Sequence, residues 1–215
     1  MSITTLIIGE SGTGKTSALR NFDCSKIFLI QTVKKPLPFK STGLVPKQNF
    51  FTTDRHDKII SGLQYAIDNN YKVIVIDDFQ YLMANEFMAR AYEPGFNKFT
   101  EIARHAWEVI NKATSLPDDV RVYILSHITT GDDGTARLKT IGKLLDEKIT
   151  VEGMVTIVLR TAVMDGEYIF RTKNSGTDTV KTPMGMFESE TVDNDLKAVD
   201  EIITTYYDIN KGESE

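Results

Sequence analysis

"GESGTGKT", residues 9–16, decides how this chain is read. Gly9, Gly14, Lys15 and Thr16 fit the spacing G-x-x-x-x-G-K-[ST] without departure. Glycines in such a loop, with Gly12 between the two fixed ones, let backbone N–H groups converge on phosphate oxygens with no Cβ in the way. The pattern predicts phosphate contact over Gly9, Glu10, Ser11, Gly12, Thr13, Gly14, Lys15, Thr16 and Ser17. Lys15 would neutralise the β- and γ-phosphates, and the Thr16 hydroxyl would ligate Mg2+. ATP with Mg2+ is the ligand this implies. The surroundings agree. The apolar run "TTLIIG" (4–9) reads as a buried strand entering the loop, and "KTSALRNF" (15–22) reads as a helix leaving it. The positive end of that helix would face the phosphates.

A second carboxyl-ended strand supports this. "KVIVIDD" (72–78) is continuously apolar and then acidic, so it brings Asp77 to the edge of the sheet where the loop lies. Asp77 would share Mg2+ with Thr16. Asp78 either orients the attacking water or caps the next helix. A strong hydrolytic base is harder to find. Glu10 lies in the loop facing solvent. Gln31 ends "KIFLIQT" (26–32), a strand expected beside the first, and can position water without taking its proton. Hydrolysis is therefore expected to be slow or dependent on a partner. Ser126 and His127 end the strand "VRVYILSHI" (120–128), where a polar group either senses the γ-phosphate or simply closes the strand.

The rest of the chain alternates strands and helices. "TDRHDKIISGLQYAIDNN" (53–70) reads as a helix capped by Asp54, and "FNKFTEIARHAWEVINKAT" (96–114) as a long amphipathic helix. "MVTIVLRTAV" (154–163) and "GEYIFRTK" (166–173) flank a turn and read as a hairpin. "TTGDDGTARLKT" (129–140) reads as a mobile polar loop, and "VKKPLPFK" (33–40) as a basic, proline-rich loop with no assigned role. Strands separated by helices imply an α/β fold. Its mostly parallel central sheet carries helices on both faces and an antiparallel hairpin at one edge. His56 and His105 fall on helices without metal-ligand spacing, and no Cys/His cluster suggests zinc.

These segments together resemble the RecA-like recombinase core, most of all the minimal phage single-strand annealing ATPases. The residues that carry the resemblance are "GESGTGKT", "VIVIDDFQYLM", "YILSHI" and "VEGMVTIVLRT" followed by "YIFRTKNSGTDTVKTPMGMF". It covers residues 1–190 and implies a P-loop ATPase core there, followed by an acidic helix and tail over 191–215. It implies that loop 129–140 binds single-stranded DNA, with Arg137, Lys139 and Lys143 on its phosphates. By the same resemblance His127 relays nucleotide state to that loop, and Arg171 and Lys173 reach the nucleotide of a neighbouring subunit. The partners implied are single-stranded DNA, further copies in a ring or filament, and a single-strand DNA-binding protein. The setting is a host cytoplasm. The chain departs from the larger members by placing Gln31 where they have glutamate, and its 129–140 loop lacks aromatic residues for base stacking.

Composition narrows the classes. The chain has 215 residues, 41% of them hydrophobic, enough for one full core. No apolar run is long enough to span a bilayer, and the first residues lack the basic start of a signal peptide. The single cysteine, Cys24, excludes an internal disulfide and suits a reducing cytoplasm. Net charge is −5, but residues 188–215 hold nine acids against two lysines, so the body is slightly basic. Arg137, Lys139, Lys143 and Lys148 are thus either a DNA face or an ordinary solvated one. Two other functions stay open, a small-molecule kinase and a nucleotide-dependent assembly factor. A kinase would need an arginine-rich lid, and 129–140 holds one arginine.

Overall fold

The computed structural model describes residues 1–142 and 144–209. Its frame is a mixed sheet whose parallel centre is built from β1 (Ile3–Gly9), β2 (Ile27–Gln31), β3 (Phe50–Thr52), β4 (Val73–Asp77) and β5 (Arg121–Thr130), with β7 (Ile157–Met164) beyond β1. A short β6 (Ala136–Leu138) pairs with the end of β5. Two antiparallel strands, β8 (Glu167–Arg171) and β9 (Thr191–Asp193), close one edge. Across the sheet the order is β3-β2-β4-β5-β1-β7-β8-β9.

This order corrects one expectation. β2 pairs with β4 and β3, not with β1. Gln31 therefore stands in register with Asp77, with β4 and β5 between its strand and the one that enters the phosphate loop. β5 lies between β1 and β4 and aligns His127 with Gly9.

Strand periodicity explains how both faces are covered. Leu6 and Ile8 point to one face with Phe28, Ile30, Ile74 and Ile76. There they meet the apolar stripes of α1 (His56–Asp68), α2 (Gln80–Ala89) and α3 (Asn97–Thr114). Ile7 points to the other face with Leu29, Val75 and Tyr123, against Ala18, Leu19 and α4 (Leu196–Tyr206). Near-complete burial on both sides is why the central strands read as unbroken apolar runs rather than alternating ones. Each fully buried Ile or Leu contributes about 1.5–3 kcal/mol.

Local chemistry differs from the sequence reading at four places. Residues Thr16–Asn21 form a short 3-10 helix, not an α-helix, so the aligned dipole expected beyond the loop is brief. α1 begins at His56 without a side-chain cap, and the Asp54 carboxylate instead accepts from Asn85 Nδ2 at 2.9 Å. Loop 129–140 is a β-hairpin: β5 runs on to Thr130, turns at Gly131–Thr135, and returns as β6. Ala136 and Leu138 are buried, which supplies the apolar anchor a mobile loop lacks. Asp78 is not a cap, because α2 starts after Phe79 with no side-chain cap bond.

The end of the described chain is fastened to the core. Asp195 caps α4, accepting from the N–H groups of Lys197 at 3.0 Å and Ala198 at 3.4 Å. Buried Asp200 on α4 accepts from Arg121 Nε at 3.0 Å and from the Tyr123 hydroxyl at 2.5 Å. No helix among the described residues is long and apolar enough to cross a membrane.

Candidate functional site

At the carboxyl edge of β1, β4 and β5 a cleft of about 910 Å3 opens over the phosphate loop. Lys15, Thr16, Lys35, Asp78, Tyr81 and His127 line one part of it, and Arg20, Tyr168 and Asn194 another. The loop's shape requires its glycines. Gly12 and Gly14 have φ of +81° and +93°, where a side chain is strained. A Cβ on buried Gly9 would lie 2.0 Å from Thr161 Oγ1. That hydroxyl also holds Thr13 Oγ1 at 2.6 Å, while Thr13 donates to the Glu10 carbonyl at 2.8 Å. The loop is thus braced from β7.

Lys15 is buried, and its ammonium donates to the carbonyls of Gly9 at 2.8 Å and Glu10 at 2.6 Å. An ammonium has three protons, so one donor is left for an anion. Burial lowers its pKa to about 8, against the pull of Asp78 and Asp77. Thr16 Oγ1 donates to the Asp77 carboxylate at 3.0 and 3.2 Å. Asp77 is fully buried, and burial followed by the neighbouring Asp78 charge raises its pKa to about 6. A hydroxyl and a carboxylate in contact, both hard oxygen donors, suit Mg2+. A glycine-shaped cradle beside a lysine suits a phosphate chain. The residues present therefore fit a magnesium nucleotide.

Asp78 takes the opposite shift. Burial acts to raise its pKa, but hydrogen bonding to His127 and to Lys35 outweighs burial and leaves it lowered. Its backbone has φ of +61°, an uncommon conformation for a non-glycine residue. His127 Nε2 lies 3.6 Å from its carboxylate, and Lys35 forms an ion pair with it. The His127 ring meets Tyr81 edge-on, with centroids 6.1 Å apart.

The sequence-based candidates are therefore distributed unevenly. Residues 9–17, Asp77, Asp78 and His127 gather around one cleft. Glu10, expected to face solvent, is exposed, and so is Ser11. Gln31 is buried beside Asp77. With its amide set by its hydrogen-bond partners, it donates to the carbonyls of Val33 and Lys35 at 3.2 Å each. Ser126 is buried beside Ile8, and its hydroxyl has no partner. Arg171 stands opposite Arg160, level with Ile8, and exposed Lys173 follows it away from the loop end. Lys173 donates to the Glu188 carbonyl at 3.1 Å. Neither lines the cleft of its own chain. Arg137 is exposed on β6 and paired with Asp133, and Lys139 is exposed just beyond. Lys143 lies outside the described residues.

Lys35, Tyr168 and Asn194 are site residues that the sequence reading missed. Tyr168 and Asn194 pack on the loop, each with an atom 3.0 Å from where a Gly14 Cβ would be. His56 and His105, also unassigned, stack with centroids 3.7 Å apart between α1 and α3. Among the described residues no group of three or more His, Cys, Asp or Glu is placed to hold a metal.

A family model described as "AAA domain" matches residues 1–184, most of the chain. The chain belongs to this family of P-loop, nucleotide-binding ATPases. No curated protein matches it.

Proposed function

We propose that this AAA-domain chain is a Mg2+-dependent ATPase. The observation that carries the reading is the Thr16–Asp77 contact set beside Lys15 at the foot of one cleft. Thr16 and Asp77 would hold the cation, which would supply positive charge against that developing on the terminal phosphate, and Lys15 keeps one N–H for the phosphates. Past Gly14 the cleft continues to Tyr168, Asn194 and Arg20, where the base and ribose would have room. Asp78, buried and ionised beside His127, faces the terminal phosphate and orients water there.

A finer reading is that turnover depends on single-stranded DNA, as in phage recombination or annealing. It is supported by the short path from cleft to hairpin. His127 faces Asp78, and its carbonyl accepts from Lys139 N–H at 2.8 Å. Arg137 and Lys139 then meet DNA phosphates. In an oligomer, ring or filament, Arg171 and Lys173 serve the neighbour's nucleotide, with host cytoplasm as the setting and a single-strand DNA-binding protein as a further partner. A second reading, a nucleotide-dependent assembly factor that does not touch DNA, is favoured by two facts. Asp133 neutralises Arg137, and Gln31 holds a loop rather than water.

Measuring ATP hydrolysis with and without single-stranded DNA separates these. Stimulation is the expected result. Binding of ATP without turnover under either condition selects the assembly factor. Turnover only with a small acceptor makes the protein a kinase instead.

A further inference from the structure

The basic loop between β2 and β3 has a place at the site. Gln31 holds its root through the carbonyls of Val33 and Lys35. Thr32 fastens the same root to β4: its hydroxyl donates to the Asp78 carbonyl at 2.6 Å and its N–H to the Asp77 carbonyl at 3.1 Å. Pro36 then restricts Lys35 to extended backbone. From this base the Lys35 side chain crosses the cleft mouth and pairs with Asp78. The two ends of the pair differ. Asp78 is almost fully buried and fixed by its backbone, whereas the Lys35 side chain is 42% exposed on a flexible stem. Lys35 is also near enough to Lys15 to be among the charges that act on it, after burial and the two aspartates.

We propose that Lys35 is a γ-phosphate sensor acting within its own chain, exchanging Asp78 for the terminal phosphate and so coupling the 33–40 loop to nucleotide state. The exchange follows from charge and geometry. Lys35 and Lys15 line the same cleft, so a terminal phosphate seated on Lys15 lies beside the Lys35–Asp78 pair. A terminal phosphate carries more negative charge than one carboxylate, and a charge-assisted bond to it is stronger. Asp78 keeps His127 as partner when Lys35 leaves. The diphosphate offers no γ-oxygen and leaves the pair intact. Loop 33–40 then differs between the two nucleotide states, because its root is held and only its lysine changes partner.

This inference rests on the nucleotide reading above, and the test keeps the two apart. Mg–ATPγS and Mg–ADP are titrated calorimetrically into the wild type, Lys35→Ala, Asp78→Asn and the double variant. Lys35→Ala is expected to weaken ATPγS about tenfold while leaving ADP within about twofold of wild type. Asp78→Asn frees Lys35 and tightens ATPγS several-fold, and that gain disappears in the double variant. Asparagine is chosen because it tolerates the positive φ of this position. Hydrogen exchange over 33–40 differs between ATPγS and ADP in the wild type and not in Lys35→Ala. Equal losses for both nucleotides, or a gain from Asp78→Asn that persists without Lys35, overturn the sensor and leave the nucleotide site standing. A wild type that binds neither nucleotide overturns both.

Discussion

Lys15 and Arg137 are both cations close to aspartates, yet they sit in regions with different physics. Around Lys15 the charges are buried and each is held by several partners. Asp77 meets Thr16, Lys15 meets two carbonyls, and at the opposite end of the strands Arg121 and Tyr123 converge on Asp200. On the β5–β6 hairpin Arg137 and Asp133 are both exposed and pair across a turn. Interior charges cannot be separated without leaving one of them unsolvated, so their geometry is fixed before a ligand arrives. Rim charges are screened by water and salt, so their partners can be exchanged. The cleft floor is built for one ligand, and the hairpin has the chemistry of a surface that trades one anion for another.

The comparison breaks most visibly at Lys15. Lys15→Ala is expected to lower ATP turnover by about 10²–10³-fold with little change in nucleotide-free melting, because the side chain serves the ligand. Wild-type turnover in that variant removes the phosphate-loop assignment. Next in size is the interior triad. Asp200→Ala leaves Arg121 buried without its carboxylate and should cost about 3–5 kcal/mol in chemical denaturation. A cost near zero would show that this pair behaves like a rim pair.

On the hairpin the expected effects are smaller and opposite in sign. Asp133→Ala releases Arg137 and should tighten single-stranded DNA several-fold. Arg137→Ala should weaken it and reduce the salt slope by about one. Labelled oligonucleotide anisotropy across a salt series reads both, and two flat results would exclude this face as the DNA contact. Smallest is a pH effect at the half-buried His56. Burial, then the adjacent His105, lowers its pKa below 6.5, against the pull of Glu108, Asp57 and Glu86. The unfolded chain thus binds that proton more readily than the folded one. The His56 contribution is complete above the unfolded pKa and is lost as pH falls from there through the lower, folded pKa. His56→Gln should reduce the fall in Tm between about pH 7.5 and about pH 5.5 by about 1–3 °C. An unchanged pH profile would assign the acid sensitivity elsewhere.

What could be read in the sequence was local. The loop at 9–16 and the acids ending β4 announce themselves because their function needs consecutive residues. The hairpin at 129–140 was legible in principle. Asp133-Gly134 is a turn signal, and Ala136 and Leu138 alternate with polar residues on the returning strand. The density of polar residues hid that alternation. Gln31 and Lys35 were not legible in the same way. The role of Gln31 depends on β2 lying beside β4 rather than β1, which the order of segments along the chain does not state. Lys35 acquires a role only when a proline-bearing loop folds back over the end of β4. A short 3-10 helix in place of an α-helix after Thr16 likewise reflects tertiary packing of Ala18 and Leu19, which overrides local propensity.

The packing of Asn194 and Tyr168 against Gly14 also ties the phosphate loop to residues far along the chain. The loop lies near residue 14, but one wall of its cleft is supplied by residues near 194. Arg20 is tied to the Asn194 carbonyl, and Asn21 to Asp195 at 2.7 Å, so the early segment is gripped from that late side. The signature motif and the finished cleft are therefore separable. A cut between β8 and β9 would leave the motif in place and take away one wall of the pocket.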